Sequence, residues 1–307
     1  MPRTQIVTVT PAESGQKLLQ FLERRLGGVV PRSAVQRWIR KGQVRVDKGR
    51  AKPFDRVAVG QAVRIPPYAG ESGEPAPLAG PLTIVHKDDR LLAIAKPAGL
   101  AVHGGDGIDD SVAARLAASF ADADFAPTLA HRLDRDTSGL LLAARTYETL
   151  RELNERFASG RVDKLYLAWV LGRWPEPDKT LLEDRLEKCG EAGSEKVRTG
   201  SGKVALAEAV CLVRGEVRSL LAVRLFTGRT HQIRVQLASR GHPVAGDGKY
   251  GPSGQRTDLR LHCFALRPGE PTLTLPPPWS GPWAVTGEAM TAALALLDSE
   301  RQPVSFR

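Results

Sequence analysis

A proline-rich stretch at residues 66–81 predicts a boundary between two folded units. It reads PPYAGESGEPAPLAGP, contains five prolines and has no apolar periodicity, so we predict a partly stiff linker. The 307 residues exceed one typical domain, and 42% are apolar, which suits two folded units with real cores. The sequence therefore predicts a front module at residues 15–75, the end of the linker at 76–81 and a larger domain at 82–297.

The two parts also differ in charge. Residues 1–70 hold fourteen lysines and arginines against four acidic residues, whereas residues 71–307 hold thirty of each, so the net charge of +10 comes from the front. A basic module beside a neutral body indicates that the module contacts a polyanion such as nucleic acid. A generally basic, solubilising face is the alternative.

The front module carries the patterns of two short helices and a small sheet. Residues 16–26 and 33–41 have apolar side chains at helical spacing, and Ser33 is the predicted cap of the second helix. Val44 and Val46 then alternate with polar residues, and Val63 and Ile65 flank Arg64, as in half-buried strands.

The stretch RSAVQRWIRKGQVRVD in this module resembles the S4 RNA-binding domain, in which two helices pack on a small sheet and offer a basic surface to folded RNA. The resemblance implies that this surface binds RNA. The residues that would contact RNA there are Arg32, Arg37, Arg40, Lys41 and Arg45. A basic helical hairpin that packs on the rest of the protein is the alternative.

The larger domain has strand-like runs that arrive largely in neighbouring pairs, with helices between them. We predict strands at 82–86, 91–95, 139–144, 164–171, 206–213 and 218–226, and helices at 111–121, 147–158, 230–240 and 288–297. This order favours an α+β fold with a mixed, mainly antiparallel sheet and flanking helices.

The segment HRLDRDTSG at residues 131–139 combines a dense polar pattern with an apolar strand that follows at once. Asp134 lies between two arginines at the edge of a core, where its charge is supported. A polar turn, with Asp134 as an ordinary ion-pair partner, fits the local pattern equally well. A calcium loop is excluded, because the twelfth position, which must be Glu, is Arg145.

No metal or cofactor is predicted. The six histidines show no tight ligand spacing, and GSGK at 200–203 lacks the remaining residues of a phosphate-binding loop. The three cysteines, Cys189, Cys211 and Cys263, lie far apart, so we expect them to be reduced and structural.

Three segments in order, HRLDRDTSG (131–139), KLYLA (164–168) and TGRTHQIR (227–234), resemble the RluA-type pseudouridine synthases. KPAGLAVHGG (96–105) and GHPVAGDGKYG (241–251) fit the same family. With the S4-like front, the chain is most similar to the subgroup of ribosomal large subunit pseudouridine synthases designated C. The resemblance implies the pseudouridine synthase fold and isomerisation of uridines in large-subunit (23S) ribosomal RNA, without metal or cofactor.

The resemblance also implies the roles of individual residues. Asp134 would be the catalytic carboxylate, Tyr166 would stack on the uracil and help to remove the C5 proton, and Arg229 would pair with Asp134. Arg132 would enter the RNA when the target uridine leaves its stack. From the residues alone, Tyr166 could be a buried tyrosine with a bonded hydroxyl, Arg229 a phosphate contact and Arg132 a surface arginine. One departure from the family is Gln236, where histidine is usual.

Several expectations concern the setting of the reaction. Asp134 could attack C1′ of the ribose or remove a ribose proton, and the sequence does not choose between these routes. The predicted partner is naked or pre-ribosomal large-subunit RNA, the protein is expected to be a monomer, and the absence of a membrane segment predicts a cytoplasmic location. The rival functions are a non-catalytic RNA assembly factor and an aspartate-dependent nuclease or glycosylase.

Overall fold

The computed structural model describes residues 3–27, 29–68, 80–105, 108–175, 177–190, 196–252 and 258–299. Most of the predicted linker lies outside these ranges. The chain divides into two compact units, one of Met1–Leu92, His103–His131 and Leu142–Glu155, the other of Ala93–Val102, Arg132–Leu141 and Arg156–Arg307. Asp134, Tyr166 and Arg229 all belong to the second unit.

The described residues form six α-helices, and all six predicted helices are confirmed with their ends within two residues. They are α1 (Leu18–Arg25), α2 (Arg32–Arg40), α3 (Val112–Ser119), α4 (Tyr147–Ala158), α5 (Gln232–Ala238) and α6 (Gly287–Asp298). No helix in the described ranges is long and apolar enough to cross a membrane.

The strands are more numerous than the sequence patterns predict. They are β1 (Gln5–Thr8), β2 (Arg45–Val46), β3 (Ala62–Ile65), β4 (Thr83–Lys87), β5 (Leu91–Lys96), β6 (Thr128–Leu129), β7 (Ser138–Ala144), β8 (Asp163–Leu171), β9 (Lys179–Cys189), β10 (Lys196–Thr199), β11 (Lys203–Arg214), β12 (Arg218–Leu225), β13 (Leu261–Arg267) and β14 (Leu273–Thr274). β1, β6, β9, β10, β13 and β14 have no counterpart among the predicted strands.

The front module is a helix-helix-sheet unit, as predicted. Its three strands lie in the order β1-β3-β2, with antiparallel pairing, and α1 and α2 bury their apolar sides in one core with the sheet. Gly42, at φ +70°, ends α2 in the left-handed conformation that glycine adopts at low cost. The predicted cap Ser33 is wrong, because α2 begins at Arg32 and Pro31 is the capping residue.

Within the described ranges, the large sheet has eleven strands. Nine of them follow the order β10-β9-β11-β12-β8-β13-β7-β5-β4, while β14 pairs with β13 and β6 with β7. β8 pairs in antiparallel fashion with β12 and β13, and β13 pairs in parallel with β7. The predicted α+β class with a mixed, mainly antiparallel sheet is confirmed.

β9 shows why a long strand escaped the sequence patterns. Its buried residues Leu182 and Leu186 are four apart, which is a helical spacing, and the position between them on the same face is Asp184. A polar residue is accommodated at this inward position because Asp184 accepts hydrogen bonds from Gln236 and Arg240. The alternation of apolar and polar residues that predicts a strand is therefore broken at Asp184, and the reason is a contact with a distant part of the chain.

Two helices cover parts of the sheet in the second unit. α6 packs against residues of β8, β12 and β13 through Ala293, Leu296 and Leu297. Val235 of α5 packs in another cluster, with Leu186 of β9, Val197 of β10 and Ala205 of β11. This second contact fixes α5 on the sheet and so determines which of its side chains face inward.

Candidate active site

Asp134 lies in the tight turn that leads into β7. The amide N–H of Thr137 donates to the Asp134 carbonyl at 3.2 Å, and every residue of the strand from Ser138 onward is buried. Gly139, at φ +121°, lets β13 approach closely, because a Cβ there would lie 2.4 Å from the Cys263 backbone nitrogen. The strand therefore anchors the turn, and the Asp134 side chain keeps 19% of its surface exposed at the edge of the core.

Lys96 holds the same turn from inside the protein. Its Nζ donates to the Pro97 carbonyl at 2.8 Å and to the Arg135 carbonyl at 2.7 Å, and the residue is 2% exposed. Burial lowers the pKa of Lys96 to about 8, although Asp136 and Asp134 act in the opposite direction. The residue that follows Asp134 is thus tied to a buried amine.

Arg234 of α5 is the arginine that faces Asp134. Its Nη1 lies 3.3 Å from Asp134 Oδ2, while its Nε and Nη2 each lie 2.8 Å from one oxygen of Asp247. The side chains of Arg234 and Asp247 are 6% and 0% exposed. Because two donors are committed to Asp247, the guanidinium can turn only its remaining edge toward Asp134.

Asp247 is buried yet charged. Burial opposes its ionisation, but Arg234 and the backbone N–H groups of Lys249 and Tyr250 outweigh burial, and the pKa of Asp247 lies below its ordinary value. Burial likewise acts to lower the pKa of Arg234, and the contacts with Asp247 and Asp134 raise it overall. The buried pair gives the site a permanent cation of fixed direction.

The predicted pairing of Arg229 with Asp134 is not what the structure shows. Arg229 is exposed, and its Nε donates to the Val204 carbonyl at 2.9 Å. The helix predicted at residues 230–240 begins two residues later, since α5 starts at Gln232 with His231 as its capping residue. Arg234, in the first turn of α5, holds the inward position instead.

Tyr166 lies on β8 opposite Val223 of β12 and Cys263 of β13. It is 7% exposed and points away from Leu165 and Leu167, which pack in the cluster with α6. Burial raises the pKa of Tyr166 well above its usual value, and the hydrogen-bonded Cys263 and the nearby Asp134 act in the same direction. The phenol therefore stays neutral at physiological pH.

His231 completes the surroundings of Asp134. Its Nε2 lies 3.9 Å from Asp134 Oδ2, and its Nδ1 lies 2.7 Å from the Tyr250 hydroxyl. Sequence reasoning missed five residues of this site: Lys96, His231, Arg234, Asp247 and Tyr250. Each belongs to a segment that fits the family pattern, so the pattern marked the segments without distinguishing the side chains that face Asp134.

The predicted RNA-binding residues are solvent-accessible. Arg132 is exposed, two residues before Asp134. In the front module, Arg32 is exposed and paired with Glu23 at 2.8 Å, and Arg45 on β2 is half-buried. Three further cations, Arg37, Arg40 and Lys41, are exposed around the C-terminal end of α2. The structure thus brings the catalytic candidates together in one unit and places four of the five predicted RNA contacts of the front module on α2 or at its end.

The three cysteines, Cys189, Cys211 and Cys263, form no disulfide. Within the described ranges, no group of three or more His, Cys, Asp or Glu side chains is arranged to hold a metal ion.

Comparison with known proteins gives one family. A model described as RNA pseudouridylate synthase matches residues 90–239, and an S4 domain model matches residues 16–63. Ribosomal large subunit pseudouridine synthase C of Yersinia pestis is 39% identical over 283 residues, covering 87% of this chain and 88% of that protein. The protein of the same name from Escherichia coli strain K12 is 39% identical over 285 residues, covering 87% and 89%.

Solved structures agree on the fold. Human RNA Pseudouridylate Synthase Domain Containing 1 superposes with a TM-score of 0.59 at 24% identity, over 73% of this chain and 97% of the human chain. Human RNA Pseudouridylate Synthase Domain Containing 4 gives a TM-score of 0.50 at 25% identity, over 60% and 82%.

Proposed function

Because the chain belongs to the RNA pseudouridylate synthase family, we propose that it isomerises specific uridines to pseudouridine in large-subunit (23S) ribosomal RNA, with the Asp134 carboxylate as its catalytic group. The observation that carries this proposal is the arrangement around Asp134. A fixed cation, Arg234, faces the carboxylate at 3.3 Å, and the neutral phenol of Tyr166 lies in the same unit.

The reaction breaks the bond from N1 to C1′ and joins C5 to C1′, while C5 loses a proton and N1 gains one. It needs no redox partner and no added group. Asp134 can supply an ionised oxygen that attacks C1′ or removes a ribose proton. Arg234 keeps its proton throughout, because its pKa is raised, so its part is to orient the carboxylate and support its charge.

Three other residues take parts in this proposal. Because the pKa of Tyr166 is raised, its side chain is a neutral phenol at physiological pH. We therefore assign the ring to stacking on the uracil and the hydroxyl to relaying the C5 proton. Arg132, exposed next to the catalytic turn, would occupy the space that the flipped uridine leaves in the RNA. Arg229, exposed three residues before α5, would contact backbone phosphate, and we assign its predicted catalytic part to Arg234.

The front module would supply affinity for RNA. The match to the S4 domain and the exposed cations of α2 support this part of the proposal. We propose that residues 15–75 act as the RNA-binding domain and residues 82–297 as the catalytic domain. The substrate would be naked or pre-ribosomal RNA, and the protein would act as a monomer in the cytoplasm without metal or cofactor.

The test is tritium release from large-subunit ribosomal RNA labelled at uracil C5, with chelator present and no cofactor added. The wild type should release tritium and leave the RNA chain intact, whereas Asp134→Asn should release none and still bind RNA. Asp136→Asn, an exposed carboxylate in the same turn, is the matched control and should retain activity.

Other outcomes identify the rival functions. Tritium release by Asp134→Asn would refute the catalytic assignment. Strand breaks or free uracil would indicate a nuclease or glycosylase. RNA binding by the wild type without release from cellular or transcribed RNA would favour an assembly factor.

A further inference from the structure

His231 has an unusual backbone for a residue with a side chain. Its φ of 53° and ψ of 22° place it in the left-handed region, which a residue other than glycine occupies at a cost in free energy. It is the capping residue of α5, yet its side chain makes no capping hydrogen bond. The side chain therefore serves a contact other than the helix end.

That contact is a chain of two hydrogen bonds through Tyr250. The amide N–H of Val197 donates to the Tyr250 hydroxyl oxygen at 3.0 Å, and the hydroxyl oxygen lies 2.7 Å from Nδ1 of His231. The hydroxyl has a single proton, and directing it to Nδ1 satisfies the amide, the phenol and the imidazole together. A neutral imidazole in this chain carries its own proton on Nε2.

The imidazole is held neutral. Burial lowers the pKa of His231, and the cations Arg234 and Lys249 add to the effect, while Asp134 and Asp247 act in the opposite direction with a smaller result. At physiological pH the group therefore presents an N–H at Nε2. That N–H faces Asp134 Oδ2 at 3.9 Å, the same oxygen that Arg234 Nη1 approaches to 3.3 Å.

We propose that His231 is a second positioning residue for the catalytic carboxylate, and that Tyr250 fixes the tautomer that this role requires. The Nε2–H of His231 and the Nη1–H of Arg234 would converge on Oδ2 and leave Oδ1 directed at the ribose. A closure of about 1 Å brings Nε2 within hydrogen-bond distance of Oδ2. This inference rests on the proposed function of Asp134.

The role of Tyr250 gives the inference its sharpest consequence. In Tyr250→Phe the imidazole loses the donor at Nδ1, so the tautomer with its proton on Nδ1 becomes accessible. That tautomer turns a nitrogen lone pair toward Asp134 and repels the carboxylate. We expect single-turnover isomerisation to slow about tenfold in Tyr250→Phe with little change in RNA affinity, as a small misplacement of a reacting group does.

Two substitutions of His231 separate positioning from folding. Asn tolerates the left-handed backbone but is too short to present a donor where Nε2 lies, so His231→Asn should fold and react at least about tenfold more slowly. Gln reaches further, so His231→Gln should recover part of the lost rate. Equal rates in the two variants, or a His231→Asn rate equal to that of the wild type, would overturn the positioning role.

The first experiment is long-range ¹H–¹⁵N imidazole spectroscopy of the full chain labelled in its six histidines, with His231 assigned from the spectrum of His231→Asn. The wild type should show His231 protonated on Nε2, and Tyr250→Phe should show a mixture of tautomers. Tyr68→Phe is the matched control, since Tyr68 packs in the core of the front module and its loss should leave the His231 signal unchanged. His231 protonated on Nδ1 in the wild type would overturn the inference.

The imidazole spectrum and the isomerisation rates test the inference and the proposed function separately. The tautomer is measured without RNA, so it is decided even if the protein isomerises no uridine. An active wild type with unchanged rates in Tyr250→Phe refutes the positioning role and leaves the proposed function standing. An inactive wild type with the expected tautomer refutes the proposed function, and the catalytic meaning of His231 falls with it.

Discussion

The arginines of the front module and the arginine of the catalytic site are used in opposite ways. Arg32 pairs with Glu23 at 2.8 Å while its side chain is 62% exposed. Arg234 pairs with Asp247 at the same distance, but its side chain is 6% exposed and that of Asp247 is 0% exposed. Equal nitrogen–oxygen distances therefore occur in very different dielectric surroundings.

Burial determines what each of these charges contributes. Water and salt screen the exposed cations, so each contributes little to stability, but together they attract a polyanion over a distance. The buried pair is costly to remove from water and strong once formed, and its value lies in a cation whose direction cannot change.

Removing the buried partner should have the largest effect. Asp247→Ala leaves Arg234 buried without its main partner and also removes the acceptor of two backbone N–H groups. We expect the free energy of unfolding to fall by about 3–5 kcal/mol in urea denaturation of the full chain. Glu23→Ala, which breaks the exposed pair of Arg32, is the matched control and should cost less than about 1 kcal/mol. Similar losses in both variants would break the contrast.

Replacing the buried arginine by lysine tests direction apart from charge. Arg234→Lys keeps a cation but cannot bind Asp247 with two donors and also face Asp134, so the single-turnover rate should fall about 100-fold. Arg240→Lys, on the same segment but paired with Asp184, is the matched control and should retain the rate.

Arg229→Lys should weaken RNA binding more than it slows the reaction. A large fall in rate for Arg229→Lys and none for Arg234→Lys would restore Arg229 to the catalytic role.

Neutralising the front module should change binding and leave chemistry intact. Replacing Arg37, Arg40 and Lys41 together by glutamine should weaken RNA affinity about tenfold near physiological salt and reduce the slope of log Kd against log salt concentration by about 2. The rate at saturating RNA should be unchanged. Fluorescence anisotropy over a salt series measures both quantities, with Arg173→Gln, an exposed arginine paired with Glu216, as control. An unchanged slope would show that α2 does not contact RNA.

The smallest effect concerns the buried amine beneath the catalytic turn. Lys96 loses its proton at about pH 8 in the folded protein, against an ordinary value of 10.5 in the unfolded chain. Between these values the unfolded chain binds more protons, so the stability of the wild type relative to Lys96→Met should rise with pH, by at most about 1.4 kcal/mol per unit. Urea midpoints at pH 7.5, 8.5 and 9.5 measure this trend, and Lys41→Met in the front module is the exposed control. A fall in the stability of the wild type relative to Lys96→Met with rising pH would contradict the lowered pKa.

Local pattern accounted for much of the fold. α4 begins and ends at the predicted residues, because its apolar spacing is regular and polar residues bound it. β9 was missed because Asp184 stands at an inward position, where its partners come from α5 and the residues after it. Gln236, the departure from the family pattern, is buried and donates to Asp184 and to the carbonyls of Leu182 and Ala205, so it holds α5 on the sheet.

In the site, too, some features follow from neighbouring residues and others depend on contacts between distant segments. The sequence alone determined that Asp134 stands in a polar turn before a buried strand and that Tyr166 faces away from its apolar neighbours on β8, because both follow from residues adjacent in the chain. Only the tertiary structure decided that Arg234, one hundred residues from Asp134, faces it in place of Arg229. That choice depends on where α5 begins, on the left-handed turn at His231 and on the packing of Val235 against the sheet. Such features arise from contacts between distant segments, and the spacing of residues within one segment does not predict them.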